Sequence, residues 1–465
     1  MKTRKGCKVY ELTSAQKLHY YSMKYCPKKQ VLNIGTSLVI QLELEWSKLE
    51  ESIKEAIQRC ESIRVQFAQD KDGNAFQYVP KNAEIEVKHF DFSHWQENHA
   101  HDKMTEWTST PFEMYDTPLY EIVMIKMPEG FHGMYVKVNH MIMDAQSLIV
   151  FLKDVMEIYS TKVLEDTAYP KEMSSYIEQL KKDLEYEAGS KASQRDREFF
   201  EELIKESEPI FTDIYGRGKL LAERERTGNP NQRAVINTSN NVDANLANFH
   251  LEWEPTERLL KFCEKHHVSL TCLLLMGLRT YLQKENEVDD ISVSTTIARR
   301  ATLMEKRCGG TRIHSFPFRT IVSRDDTFLE GIFKIRDMQN QYFRHANYSP
   351  SEYYAYRKQY YGLENGQTYE ALALTYQPMA MKMPGAEKLD DFKYNVKRYS
   401  NGACAHTLYL TVSHDVEGGL DFCFEHQTGV VTFEKLQEVY FYLCRIIFHG
   451  VEDCERTVGE IIDWS

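Results

Sequence analysis

No apolar run in this sequence approaches the roughly 20 residues that a membrane-spanning helix needs. The opening Met1-Lys2-Thr3-Arg4-Lys5-Gly6 leads into polar sequence and lacks the apolar core of a secretory signal. Both absences predict a cytoplasmic protein with no membrane span. Clustered cysteines are missing too. The ten that occur are scattered, with no Cys-x-x-Cys and no zinc-finger spacing, so reduced packing thiols are expected and a metal site is not. There is no surplus of basic charge. The formal net charge of −12 argues against nucleic acid as a partner, because phosphate binding favours a positive surface. No P-loop, dinucleotide fingerprint or Gly-x-Ser-x-Gly elbow occurs, which removes the motif evidence for nucleotide, NAD and serine-hydrolase functions.

What is present is an ordinary globular balance, 42% hydrophobic, 12% aromatic and 27% charged. A chain of 465 residues exceeds one ordinary core and predicts two domains. After Tyr159 the sequence turns polar, and Tyr176 to Leu203 is charged with a helical pattern. A division there gives segments 1–180 and 181–465.

The first segment centres on Gly133 to Tyr159. Met134, Val136 and Val138 alternate with Tyr135 and Lys137, the pattern of a half-buried strand, and His140 continues the apolar face while Asn139 continues the polar one. Asp144 precedes Leu148, Phe151, Leu152, Val155, Met156 and Tyr159 at helical spacing. An inward histidine and an aspartate thus flank a strand-to-helix junction. The plainer alternatives are a satisfied core histidine and a helix N-cap.

Elsewhere, Thr13 or Ser14 is the expected cap of a helix after Leu12. Thr36 to Leu44 reads as a strand and Trp46 to Cys60 as a helix, followed by Ile63-Arg64-Val65-Gln66-Phe67. Pro111 and Pro118 bracket a turn before a strand with Ile122, Met124 and Ile125. Residues 205–248 are the most loop-like stretch, and Glu223-Arg224-Glu225-Arg226 reads as part of a solvated insertion. Glu254 to Lys284 carries two helical patterns with His266-His267 between them, Asp289 to Thr296 a strand, and Thr407 to Phe448 a hairpin with a closing helix.

Asn139-His140-Met141-Ile142-Met143-Asp144-Ala145 resembles the His-His-x-x-x-Asp-Gly signature of peptide-synthetase condensation domains, and the His-x-x-x-Asp of the wider CoA- and carrier-dependent acyltransferases. Leu12 to Leu18 is similar to the opening motif of those domains. Arg64 matches the arginine of the second motif, Pro111-Phe112 to Pro118-Leu119 the element before the histidine motif, and Arg299 with Cys308 to Arg319 the Gly-Arg and Gly-Met-Phe-Val-Asn-Thr-x-Pro elements, with His314 where asparagine is usual. His266-His267 imitates the signature but has Thr271 in place of aspartate.

The resemblance runs through the whole chain in order. It implies an α/β fold of two chloramphenicol-acetyltransferase-like lobes, mixed sheets flanked by helices, set in a V with the site at their interface. It also implies that 1–180 and 181–465 are those lobes. The implied activity is amide formation by attack of an amine on an acyl or aminoacyl thioester of a phosphopantetheinyl carrier protein. The alternatives are an ester-forming O-acyltransferase using CoA or a carrier, and a degenerate homologue that only binds carriers. No adenylation motif, carrier-type Gly-Gly-x-Ser or plant-type Asp-Phe-Gly-Trp-Gly occurs, so the donor is expected on a separate carrier. The implied partners are an acyl or peptidyl carrier protein and a small amine or alcohol acceptor. No permanently bound cofactor is expected, only the phosphopantetheine thioester or CoA.

A neutral imidazole, with an unperturbed pKa of about 6.5, suits proton acceptance near neutrality. His140 is expected as general base or as the group that positions the nucleophile. Asp144 is expected to be structural and to need a cationic partner, Arg299 ahead of Arg64. Asn139 replaces the first histidine with a group that still hydrogen-bonds. Ala145 keeps the backbone N–H of the usual glycine, a candidate oxyanion donor, but makes a left-handed φ expensive by about 1 kcal/mol or more.

Overall fold

The computed structural model describes residues 3–81, 85–238, 241–378 and 393–465. Two compact units emerge, one of Met1–Ser190, Ala298–Ile313 and Met381–Ala403, the other of Lys191–Ile297, His314–Ala380 and Cys404–Ser465. The division is therefore not the consecutive one expected at residue 180. The first unit is completed by two segments that return to it late in the chain.

The first unit is built on a five-stranded mixed sheet in the order Tyr394–Tyr399, Asn33–Ile40, His132–Asn139, Tyr120–Lys126, Lys88–Asp91. The last pair is parallel and the others antiparallel. Both faces of His132–Asn139 are covered, which corrects the half-buried reading of its alternation. Met134, Val136 and Val138 join a core with Leu148, Phe151, Leu152 and Val155. Tyr135 packs on the other face with Phe92, Ala100, Met104 and Tyr399.

The cover on that second face is the helix Glu97–Ser109, which buries Ala100, Met104 and Thr108 at a four-residue spacing. Lys137 survives burial because it bonds to the Trp107 carbonyl at 3.0 Å, pairs with Glu121 at 3.0 Å and lies over the Phe112 ring. Gly133 is required by close strand approach, since a Cβ there would lie 2.0 Å from the Leu38 carbonyl oxygen.

The second unit holds a six-stranded sheet in the order Ala244–Leu251, Leu420–Gln427, Leu408–His414, Leu372–Gln377, Asp290–Ile297, His314–Ile321. The buried helix Leu270–Asn286 packs against Phe433–Glu452, and Gly277 makes the room, because a Cβ would lie 2.5 Å from Ile447.

Residues 205–248 are less loop-like than their composition suggested. They contain the helix Gly218–Thr227 and most of the strand Ala244–Leu251, and Glu223 is buried and paired with Arg226 at 2.7 Å. His266 closes the helix Trp253–His266, and His267 takes the left-handed cap conformation at φ 52°. The ten cysteines are free. Among the described residues no helix is long and apolar enough to cross a membrane.

Candidate active site

Strand pairing carries through to His140, whose N–H bonds to the Leu32 carbonyl at 2.7 Å, while the Asn139 N–H bonds to Leu119 at 2.9 Å. The chain then reverses. Asn139 Oδ1 accepts from the Met141 N–H at 3.0 Å, and the Asn139 carbonyl accepts from the Ile142 N–H at 3.0 Å. This side-chain-to-backbone turn, natural to asparagine, delivers Asp144 to the N-cap of the helix Ala145–Val163.

Between Gly133 and Asp144, His140 alone is not fully buried. Its imidazole stacks on His19 with ring centroids 4.1 Å apart and planes 27° from parallel. Burial pushes its pKa below the usual histidine value, the Arg398 charge adds to that push, and the nearby backbone carbonyl of the same residue and Asp144 oppose it. The ring is therefore neutral near pH 7. No other residue hydrogen-bonds to Nδ1.

Asp144 is only 1% exposed and fully engaged. Oδ1 accepts from the Ser147 N–H at 2.9 Å, the Ser147 hydroxyl at 2.8 Å and Arg300 Nη2 at 3.0 Å. Oδ2 accepts from Arg300 Nη2 at 2.9 Å and the Arg312 N–H at 3.0 Å. Burial alone would raise its carboxyl pKa, but the Arg300 charge and these hydrogen bonds outweigh it and hold the group below the ordinary carboxylate value.

The cation is Arg300, not Arg299, and the reason is backbone geometry. Arg299 has a φ of 54°, which breaks the strand alternation after Ile297 and presents the next side chain to Asp144. Arg299 instead lies 3.6 Å from Asp183, which also pairs with Arg312 at 2.8 Å. Arg64 serves elsewhere, donating to the carbonyls of Pro80, Lys81 and Gln58. Arg300 is held in turn by the carbonyls of Glu305 at 2.7 Å, Cys308 at 2.6 Å and Gly310 at 2.9 Å. Gly309 and Gly310 let this segment close in, since Cβ atoms there would lie 2.0 Å from Ser62 Oγ and 2.6 Å from Tyr176 Cε2.

A second layer supports the junction. Gln16, on the helix Ser14–Tyr25 capped by Thr13, donates to the Met141 carbonyl at 3.4 Å, Gln77 Oε1 at 2.9 Å and the Tyr176 hydroxyl at 3.0 Å. Ala145 is the first residue of its helix and has no left-handed φ, so alanine costs nothing there. His314 bonds through Nδ1 to the Ala346 carbonyl at 2.9 Å in the second unit.

Sequence reasoning missed Arg300, Ser147, Asp183, Gln16 and His19. The paired Arg299-Arg300 and the Ala15-Gln16 of the opening motif were the available signals. His19 had none beyond its helical phase. The His250, Asp415 and Asp421 cluster is metal-like in composition, but it is a partly exposed histidine–carboxylate group with His250 Nδ1 2.9 Å from Asp421.

Two units of mixed sheet flanked by helices are also the fold of solved condensation domains. A family model described as condensation domain matches residues 7–462, and the chain belongs to that family. Its members are acyltransferases of nonribosomal peptide synthesis that form amide bonds, working on thioesters of a carrier protein or of CoA.

Among curated proteins, the chain is 22% identical over 472 residues to surfactin synthase subunit 1 of Bacillus subtilis (strain 168) and 19% identical over 453 residues to tyrocidine synthase 2 of Brevibacillus parabrevis. Each match covers 97% of this chain, but the chain spans only 12% of either relative's length. The first condensation domain of the calcium-dependent antibiotic synthetase, solved with a substrate analogue, is similar in fold at TM-score 0.78 and 18% identity, covering 97% of this chain and 98% of that one. A variant of the starter condensation domain of rhizomide synthetase, in complex with C8-CoA and Leu-SNAC, gives TM-score 0.79 and 17% identity over 97% and 96%.

Proposed function

We propose that this chain forms an amide by attack of an amine on an acyl or aminoacyl thioester carried by the phosphopantetheine arm of a carrier protein, with His140 taking the proton. The observation that carries this reading is His140 itself, neutral and only partly buried between wholly buried neighbours. The amine nitrogen attacks the thioester carbon and a C–N bond forms. The nitrogen's proton passes to His140. Collapse of the tetrahedral intermediate breaks the C–S bond, and the proton leaves with the thiol.

Asp144 plays no part in proton transfer, because its oxygens are committed to Arg300, Ser147 and Arg312. It fixes the start of the helix, and through it the loop that carries His140. The first-turn N–H groups of Ala145 and Gln146 have no acceptor within the helix and sit at its positive end. They are donors available to the oxyanion. With Ala145 in a helical conformation, the substitution of the family's glycine gives no reason to read the chain as degenerate.

The test offers acyl-loaded carrier and acyl-CoA, each with an amine and an alcohol, and follows products by intact mass. Amide from the carrier donor is the expected result. Ester from CoA would favour the O-acyltransferase reading, and carrier binding without product from any donor would overturn the enzymatic one.

A further inference from the structure

The proposed chemistry leaves unexplained the second imidazole lying flat on His140. We propose that His19 is a positioning residue for acyl transfer, fixing the plane of the His140 ring and so the direction in which that ring accepts a proton.

A histidine that moves protons is usually oriented through its other ring nitrogen, by a hydrogen bond to a carboxylate or carbonyl. Here that partner is local: the backbone carbonyl of His140 itself acts on its ring, no other residue bonds to Nδ1, and the nearby carboxylate, Asp144, is fully occupied by Arg300, Ser147 and Arg312. Packing supplies the remaining constraint on the ring, and the stacking partner at 4.1 Å is His19.

The helix that carries His19 is well suited to hold it still. It buries Ala15, Gln16, His19, Tyr20 and Met23 along one face, so an imidazole occupies a position where helical phase calls for a core side chain. A capping box at Thr13 fixes its start. One turn before His19, Gln16 bonds to the carbonyl of Met141, the residue after His140. That bond ties helix and catalytic loop together beside the stacked rings. A flat side chain at position 19 leaves His140 one ring plane, whereas a branched aliphatic one lets the imidazole rotate about Cβ–Cγ.

This inference rests on the acyl-transfer reading, and its test separates the two. Steady-state amide formation by the full chain is measured for His19→Leu, His19→Phe and His140→Ala. His19→Leu should lower kcat about tenfold or more with little change in KM. His19→Phe, which keeps a flat ring, should retain most of the activity. Wild-type kcat in His19→Leu would overturn the proposal, as would equal losses in both variants, or a loss in His19→Leu matched by a fall in Tm.

A second measurement needs no turnover. In histidine ring NMR spectra, the His140 signals should carry a stacking shift that is kept in His19→Phe and lost in His19→Leu. No such shift in the wild type would also overturn the proposal. Unimpaired turnover by His140→Ala would instead sink the acyl-transfer reading, whatever His19 does.

Discussion

Asp144 and Arg300 are opposite charges with side chains each 1% exposed, and neither is tolerable without the other. Removing one partner of such a pair costs about 3–5 kcal/mol, because the remaining charge stays buried and uncompensated. Arg300→Met should lower unfolding free energy by that order in a denaturant titration. Arg300→Lys should recover little, since an ammonium cannot reproduce contacts to Asp144, Ser147, Glu305, Cys308 and Gly310. The Asp144 pKa is depressed, so its contribution is present above the unfolded value of about 3.9 and lost as pH falls through the folded one. His140 behaves differently in activity. Its pKa is also depressed, and only the neutral ring accepts a proton, so the acidic limb of kcat/KM against pH should fall below the ordinary histidine value of about 6.5. His140 and Asp144 were legible from strand and helix period. Arg300 was not separable from Arg299, because the choice depends on one left-handed φ that no sequence pattern announces.

At the scale of elements, the segment 298–313 brings Arg300 and Arg312 to Asp144, and its close approach depends on Gly309 and Gly310. Gly310 has a φ of 102° with Tyr176 where a Cβ would stand. Gly310→Ala should therefore cost on the order of 1–3 kcal/mol and lower Tm and activity together. The hairpin of Leu408–His414 and Leu420–Gln427 carries a separate pH response. The hydrogen bond from His250 to Asp421, aided by the charges of Asp421, Asp415 and Glu252, raises the His250 pKa against its partial burial. Its contribution is full below the unfolded value of about 6.5 and lost as pH rises through the raised folded value. Amide exchange in this hairpin, corrected for intrinsic rate, should quicken across that window, and Asp421→Asn should weaken the effect. Helices with a strong apolar period, such as Leu270–Asn286 and Phe433–Glu452, were legible in advance. Glu97–Ser109 and Gly218–Thr227 were not, because one buries a single large apolar residue, Met104, between Ala100 and Thr108, and the other hides a paired glutamate among alternating charges. Tyr394–Tyr399 was missed because mostly exposed side chains give an edge strand little pattern.

At the scale of the whole molecule, the first unit is not a contiguous piece of chain. Residues 1–190 alone lack the edge strand Tyr394–Tyr399 and the partner of Asp144. That fragment would leave Asn33–Ile40 as a bare edge and a buried carboxylate unpaired. Expressed by itself it should aggregate or stay open to proteases, and a folded, protected fragment would count against the role given to the returning segments. The two-lobed class was legible because motifs spaced along the chain fall in the family's order. Its discontinuity was not, because composition changes with chain order and not with spatial neighbourhood. If His140 takes the proton in amide formation, single-turnover acyl transfer from a loaded carrier to an amine should give product with the wild type and a rate lower by about 10²–10⁴-fold in His140→Ala at unchanged Tm. Equal rates from the two proteins would rule that role out.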